Sequence, residues 1–138
     1  MPEPRYWLPG WLRSATRLGE LELAERILDA TNPHSPLDLF NSQAARAVLT
    51  EVRLGPDPAL EKYSAVTEAA RRFGAVIEEA FALLGQGRCL IALNRPDEAI
   101  LVLQHARDMF TNMGARPALA ETEARLASVN HAAEGKER

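Results

Sequence analysis

Leu93-Asn94-Arg95-Pro96-Asp97-Glu98-Ala99 is the stretch whose reading decides the fold. Before it, large and small residues recur at helical spacing as Leu83, Gly87 and Leu90. After it the same spacing resumes at Ala99, Leu103 and Ala106. Asn94 suits a left-handed helix end, and Pro96 suits the first position of the next helix. Asp97 and Glu98 then fall in a first turn, where the helix dipole favours negative charge. The stretch therefore predicts two helices, about 76–93 and 96–112, joined by a tight corner.

The same punctuation recurs in both directions. Upstream, Gly74 closes a helix that starts at the corner Gly55-Pro56-Asp57-Pro58 and ends near Phe73. Before that corner, Ser35-Pro36-Leu37-Asp38 opens a helix that runs to about Leu54, and Asn32-Pro33 stops the one before it. Gly19 separates two further helices, about 4–18 and 20–30. Downstream, Gly114 closes the sixth helix and Pro117 helps open a last one to about Ala132. Strand signals are nearly absent, while Ala, Leu, Glu and Arg dominate. The expectation is an all-α chain of about seven helices, with one domain over 1–133 and a charged tail over 134–138.

A shift of 40 residues realigns the helices with one another. Ala47 then lands on Gly87, Ala59 on Ala99, Tyr63 on Leu103 and Val66 on Ala106. Phe73-Gly74-Ala75 lands on Met113-Gly114-Ala115, and Ala80 on Ala120. Leu18-Gly19 to Ala24 matches Leu93-Asn94 to Ala99 at an offset of 75, five short of two such steps. Such a repeat reads as stacked helical hairpins, since one hairpin cannot bury its apolar face alone.

These residues resemble the tetratricopeptide repeat (TPR) family. The best unit is about 80–113: Leu83, Gly87 and Leu90 on its first helix, Ala99, Leu103 and Ala106 on its second. It departs from the family pattern at Gln86, where leucine is usual, and at Thr111, where proline is usual. The middle unit departs at Gln43 and Thr50, and the first carries Leu12 where the family has glycine. The 40-residue spacing exceeds the usual repeat of about 34. It is similar to the longer-helix arrays at the C-terminal ends of LuxR/MalT-type regulators and adenylate cyclase-like signalling proteins of bacteria. The stretch Leu84 to Leu126 carries that similarity.

The resemblance implies a right-handed α-solenoid of about three hairpins and a C-terminal capping helix. It also implies a concave groove lined by the first helix of each hairpin. Carried over position by position, the groove takes Tyr6 and Arg13, then Asn41, Ala44 and Glu51, then Phe81, Leu84 and Arg88, and lastly Thr122 and Arg125. Arginines in such a wall suit an acidic or amphipathic peptide, because they pair bidentately with carboxylates.

Composition narrows the classes further. The chain has 138 residues, 46% hydrophobic and 25% charged, with a net charge of -3. That balance fits one globular domain and gives no basic excess for nucleic acid. No apolar run reaches the length of a membrane span, and the N-terminus lacks the features of a signal peptide. The expected location is the cytoplasm. Cys89 is the single cysteine, so no disulfide or multi-cysteine metal site forms within the chain, and it reads as a buried, inert thiol. His34, His105 and His131 do not fall within four residues of each other. No phosphate loop is present, and Gly85-Gln86-Gly87 lies inside a helix, where it reads as close helix packing. Neither a catalytic set nor a cofactor is expected.

Tyr6, Trp7 and Trp11 concentrate aromatic surface in the first helix, and Trp7 and Trp11 share a face. They form either the end of the core or an exposed association edge. The expected function is a non-catalytic protein–protein interaction module of a bacterial signalling or transcriptional regulator. The alternatives are a small-molecule-sensing domain of such a regulator, which requires a closed apolar pocket, and a homo-oligomer joined through the N-terminal helix.

Overall fold

The computed structural model describes the backbone of residues 36–136 and the side chains of 42–130, together with single positions at Glu22 and Arg26. The expected helix 4–18 lies outside the described residues, and so do Trp7 and Trp11. Of the expected helix 20–30 only Glu22 and Arg26 are described, and both are helical and exposed.

Five helices follow in order: α1 Pro36–Leu54, α2 Pro56–Phe73, α3 Val76–Ala92, α4 Pro96–Met113 and α5 Arg116–Lys136. No strand occurs among the described residues. The observed helices start and stop within a residue or two of the punctuation read from the sequence. The exception is α5, which continues past Ala132 to Lys136. Ala132, Ala133 and Glu134 are strong helix formers, and nothing there forces a stop before Gly135.

The corners repeat at the 40-residue offset. Gly74 and Gly114 take left-handed φ values of 70° and 69°. Behind them the Ala75 N–H donates to the Ala70 carbonyl at 2.9 Å, and the Ala115 N–H donates to the Phe110 carbonyl at 3.0 Å. Asn94, at φ 60°, plays the same part between α3 and α4, with the Arg95 N–H donating to the Leu90 carbonyl at 2.9 Å. Each closure satisfies helix-end carbonyls that would otherwise lack a partner.

Each helix packs against the next in sequence. In addition α1 meets α3, and α3 meets α5, whereas α2 and α4 do not approach each other. The central helix α3 is therefore covered from several sides. Ala80, Ala82, Leu83, Leu84, Cys89 and Leu90 are all buried on it. One cluster of the core joins α1, α2 and α3 through Ala47, Val48, Ala59, Val66, Ala82 and Cys89. The other joins α3, α4 and α5 through Leu84, Leu90, Leu103, Phe110 and Leu126.

Two glycines let α3 lie close to its neighbours. A Cβ on Gly85 would stand 2.5 Å from the Tyr63 ring, and one on Gly87 would stand 2.6 Å from Leu103 Cγ. Both distances are impossible for real atoms, so Gly85-Gln86-Gly87 is a packing feature, as its place inside a helix implied. Gln86 fits for a different reason: its Nε2 donates to Thr67 Oγ1 at 2.7 Å, which ties α3 to α2 through a polar bond. Thr50 and Thr111 likewise satisfy themselves on carbonyls one turn back, at 2.7 and 2.8 Å.

Candidate functional site

Three odd-numbered helices present one face together, and Arg88 of α3 lies at its centre. Its Nε donates to Glu51 Oε2 at 2.9 Å and its Nη2 donates to Glu51 Oε1 at 2.9 Å. This two-point pair links α3 to α1 in the strongest geometry open to an arginine and a carboxylate. Nη1 donates to Glu121 Oε2 of α5 at 3.1 Å. Arg88 thus spans all three odd helices.

Tyr63 enters from α2 and closes the arrangement. Its hydroxyl donates to Glu51 Oε1 at 2.6 Å and accepts from Arg88 Nη2 at 3.3 Å. The guanidinium carbon also sits 6.0 Å from the Tyr63 ring centroid. Since Gly85 lacks a side chain, the ring reaches this place by packing directly on the α3 backbone there.

The charges shift one another. Burial works to raise the Glu51 pKa, but the Arg88 bonds and charge, the Tyr63 hydroxyl and the Arg125 charge together hold it below the usual carboxylate value. Burial opposes the charge on Arg88, and the Glu51 bonds and charge more than offset it, so the guanidinium stays firmly protonated. Burial and the Glu51 charge push the Tyr63 hydroxyl far up, so it remains a donor. Cys89 lies one residue on and is buried; burial, then the Glu51 charge, push its thiol up to about 12. Burial therefore disfavours the thiolate, the reactive form.

The expected groove residues divide on this face. Glu51 and Arg88 are brought together, and Arg125 is exposed close enough for its charge to act on Glu51. Phe81 is half-buried and packs edge-on against Phe110, with centroids 5.1 Å apart and planes at 67°. Ala44 is buried. Leu84 and Thr122 are 1% and 0% exposed, against the expectation that they line a groove. Leu84 belongs to the core, and the Thr122 hydroxyl donates back to the Ala118 carbonyl at 2.8 Å. Tyr6 and Arg13 lie outside the described residues, as does the Asn41 side chain.

Tyr63 and Glu121 complete the site without having been expected there. Tyr63 was matched only to Leu103, and a buried tyrosine facing a leucine position was the signal that a polar partner waits at its tip. Glu121 carries no local signal of its pairing with Arg88, 33 positions away.

The space bounded by Arg88, Tyr63, Phe81 and Glu78, with Ala44, Val48, Val66 and Ala82, amounts to about 10 Å³. That is room for about one water molecule and not for a metabolite. Among the described residues no group of three or more His, Cys, Asp or Glu side chains could hold a metal ion. No described helix is long and apolar enough to cross a membrane. Comparison with known proteins finds no matching family model, no matching curated protein and no matching solved structure.

Proposed function

We propose that this chain is a non-catalytic protein–protein interaction module, a right-handed α-solenoid of TPR-like hairpins within a bacterial signalling or transcriptional regulator. One observation carries the reading. The odd helices approach one another while α2 and α4 stay apart, so the helix stack is narrower on the odd side. A stack narrower on one side curves toward that side, and a curved helical array presents its concave face to partners. The repeated corner geometry at Gly74 and Gly114 supports the same reading, since it gives successive hairpins the same turn.

The partner is a protein or peptide segment that lies along the odd-helix face and meets the exposed Arg125. The internal pairing of Arg88 makes it a brace of that face rather than its principal contact. A tagged pull-down from the source lysate tests this with three proteins: the parent chain, Arg125→Glu on the odd face and Lys62→Glu on α2. A protein captured by the parent and Lys62→Glu but lost with Arg125→Glu is the expected result. Capture of the same proteins by all three would overturn the assignment of the face.

A further inference from the structure

α2 and α4 both pack on α3 but do not approach each other, so a trough runs between them with α3 as its floor. Leu83 and Gln86 form that floor. Ser64, Thr67, Glu68 and Arg71 form the α2 wall, and Leu101, Val102 and His105 form the α4 wall. The space between the walls is about 390 Å³ and is open to solvent. A second space of about 300 Å³, lined by Asp57, Leu60, Glu61 and Ser64, shares Ser64 with the first and extends it toward the start of α2. These α2 positions recur at intervals of three and four, so they form one face of the helix.

The two walls differ in chemistry. Glu61 and Glu68 are exposed, and among the described residues neither carries a hydrogen bond or an ion pair. Asp57 adds a third carboxylate, whose charge also acts on Arg95. Arg71, the cation of this wall, is tied to Glu79 at 3.2 Å. On the opposite wall Leu101 is 69% exposed, with Val102 beside it. On the floor the Gln86 amide donates to Thr67 Oγ1 at 2.7 Å, which leaves its carbonyl oxygen as an acceptor. An acidic wall repels an anionic partner, and an open trough does not enclose a metabolite.

We propose that this trough is a second docking surface, taking an extended segment of a protein partner with two basic side chains three positions apart and a large apolar one between them. Glu61 and Glu68 are seven positions apart on α2, about 10 Å at the helical rise. In a polyproline-type extended chain, residues three apart share a side and lie about 9 Å apart, so their basic side chains meet the two carboxylates. The apolar residue between them turns to Leu101 and Val102. The charge sought here is opposite to that sought by Arg125, so the proposal does not rest on the odd face being a binding face.

The probe is the peptide acetyl-Arg-Leu-Pro-Arg-amide, titrated into the isotope-labelled full chain and followed by amide chemical shifts in NMR. Shifts are expected to concentrate on 64–71 and 101–105. Glu61→Gln combined with Glu68→Gln is expected to weaken binding by roughly tenfold, the scale of two exposed ion pairs. Leu101→Ser is expected to weaken it by roughly fivefold, the scale of partly burying one apolar side chain. All three positions are exposed, and a thermal melt checks that each variant is folded. Glu123→Lys, exposed on α5, changes the net charge by as much as the double variant and is expected to leave binding unchanged.

No shifts in the trough at millimolar peptide would overturn the proposal. Equal loss in Glu123→Lys and in the double variant would reduce the binding to attraction by the overall charge and overturn it too. Equal binding of acetyl-Arg-Ser-Pro-Arg-amide would remove the apolar wall from the site and overturn the docking surface. None of these outcomes reads the odd face, so this proposal and the reading tested with Arg125→Glu fail separately.

Discussion

Tyr63 on α2 and Leu103 on α4 are 40 residues apart, and each packs against a glycine of α3, one from the helix before it and one from the helix after it. Tyr63 lies on Gly85 and Leu103 lies on Gly87. Both are buried, at 3% and 0% exposure. The difference is the hydroxyl. At the first slot it reaches past the packed ring to Glu51 and Arg88, so the hairpin face there is braced by charge. At the second slot the contact is apolar throughout, and the surrounding cluster of Leu90, Phe110 and Leu126 carries the packing. One repeat position thus supports two kinds of stabilisation, chosen by a single polar atom.

The strongest way to break this comparison is to remove the charge that the first slot serves. Arg88→Met leaves Glu51 largely buried with no cation bonded to it. Loss of one partner from such a pair is expected to cost about 3 kcal/mol or more in urea denaturation. Combining it with Glu51→Met removes the stranded charge as well, and much of the loss is expected to return. A double variant no better than Arg88→Met alone would show that the pair acts by packing and not by charge.

Two alanine substitutions sharpen the contrast between the slots. Gly85→Ala and Gly87→Ala each drive a methyl into a filled space, against the Tyr63 ring or the Leu103 side chain. Each is expected to cost about 1–3 kcal/mol. Only Gly85→Ala should also disturb the brace, because the ring it displaces carries the hydroxyl. The measurement that separates them is stability against pH. The Glu51 pKa is depressed in the folded chain, so its contribution is complete above the ordinary value of 4.5 and is lost as the pH falls through the folded value. Gly87→Ala should keep this acid loss and Gly85→Ala should flatten it.

Tyr63→Phe isolates the hydroxyl with the ring left in place. It removes a donor to a charged acceptor, a bond whose loss costs roughly 1.5–3 kcal/mol when nothing replaces it. Water reaching the partly exposed Glu51 should bring the measured cost toward the lower end. The acid dependence should shrink as well, since one of the groups that hold Glu51 low is gone. An unchanged acid profile would mean that the arginine charges hold Glu51 low without the hydroxyl.

Helix ends were legible because their signals are local. Gly74, Asn94 and Gly114 each adopt the left-handed conformation that their residue type favours, and Pro56 and Pro96 each open a helix. The site was legible only in part. Glu51 and Arg88 were each placed on the odd-helix face, but nothing local links residues 37 positions apart, so their mutual pairing appears only in three dimensions. Leu84 falls on a groove position only by carry-over from the resemblance; α3 is covered from several sides, and Leu84 packs into the core. Thr122 was misplaced because a threonine that bonds its own helix is as easily buried as an alanine. Trp7 and Trp11 lie outside the described residues, and the choice between core end and association edge is untouched by the packing of α1 to α5.

The smallest expected effect on stability falls at Arg125, and there it tests function most cleanly. The side chain is exposed, so Arg125→Glu should change the unfolding free energy by no more than about 0.5 kcal/mol at neutral pH. Its charge nevertheless helps to hold the Glu51 pKa down. Reversal should therefore raise that pKa and move the onset of acid destabilisation to higher pH. This small displacement shows that residue 125 faces the brace across the odd face. If the displacement appears while a captured partner is lost, the odd face is both the braced face and the bound one. If the displacement appears and the partner stays, the brace serves the fold alone and binding belongs elsewhere on the chain. The even-helix side between α2 and α4 would then be the surface to test, with exposed Leu101 at its rim.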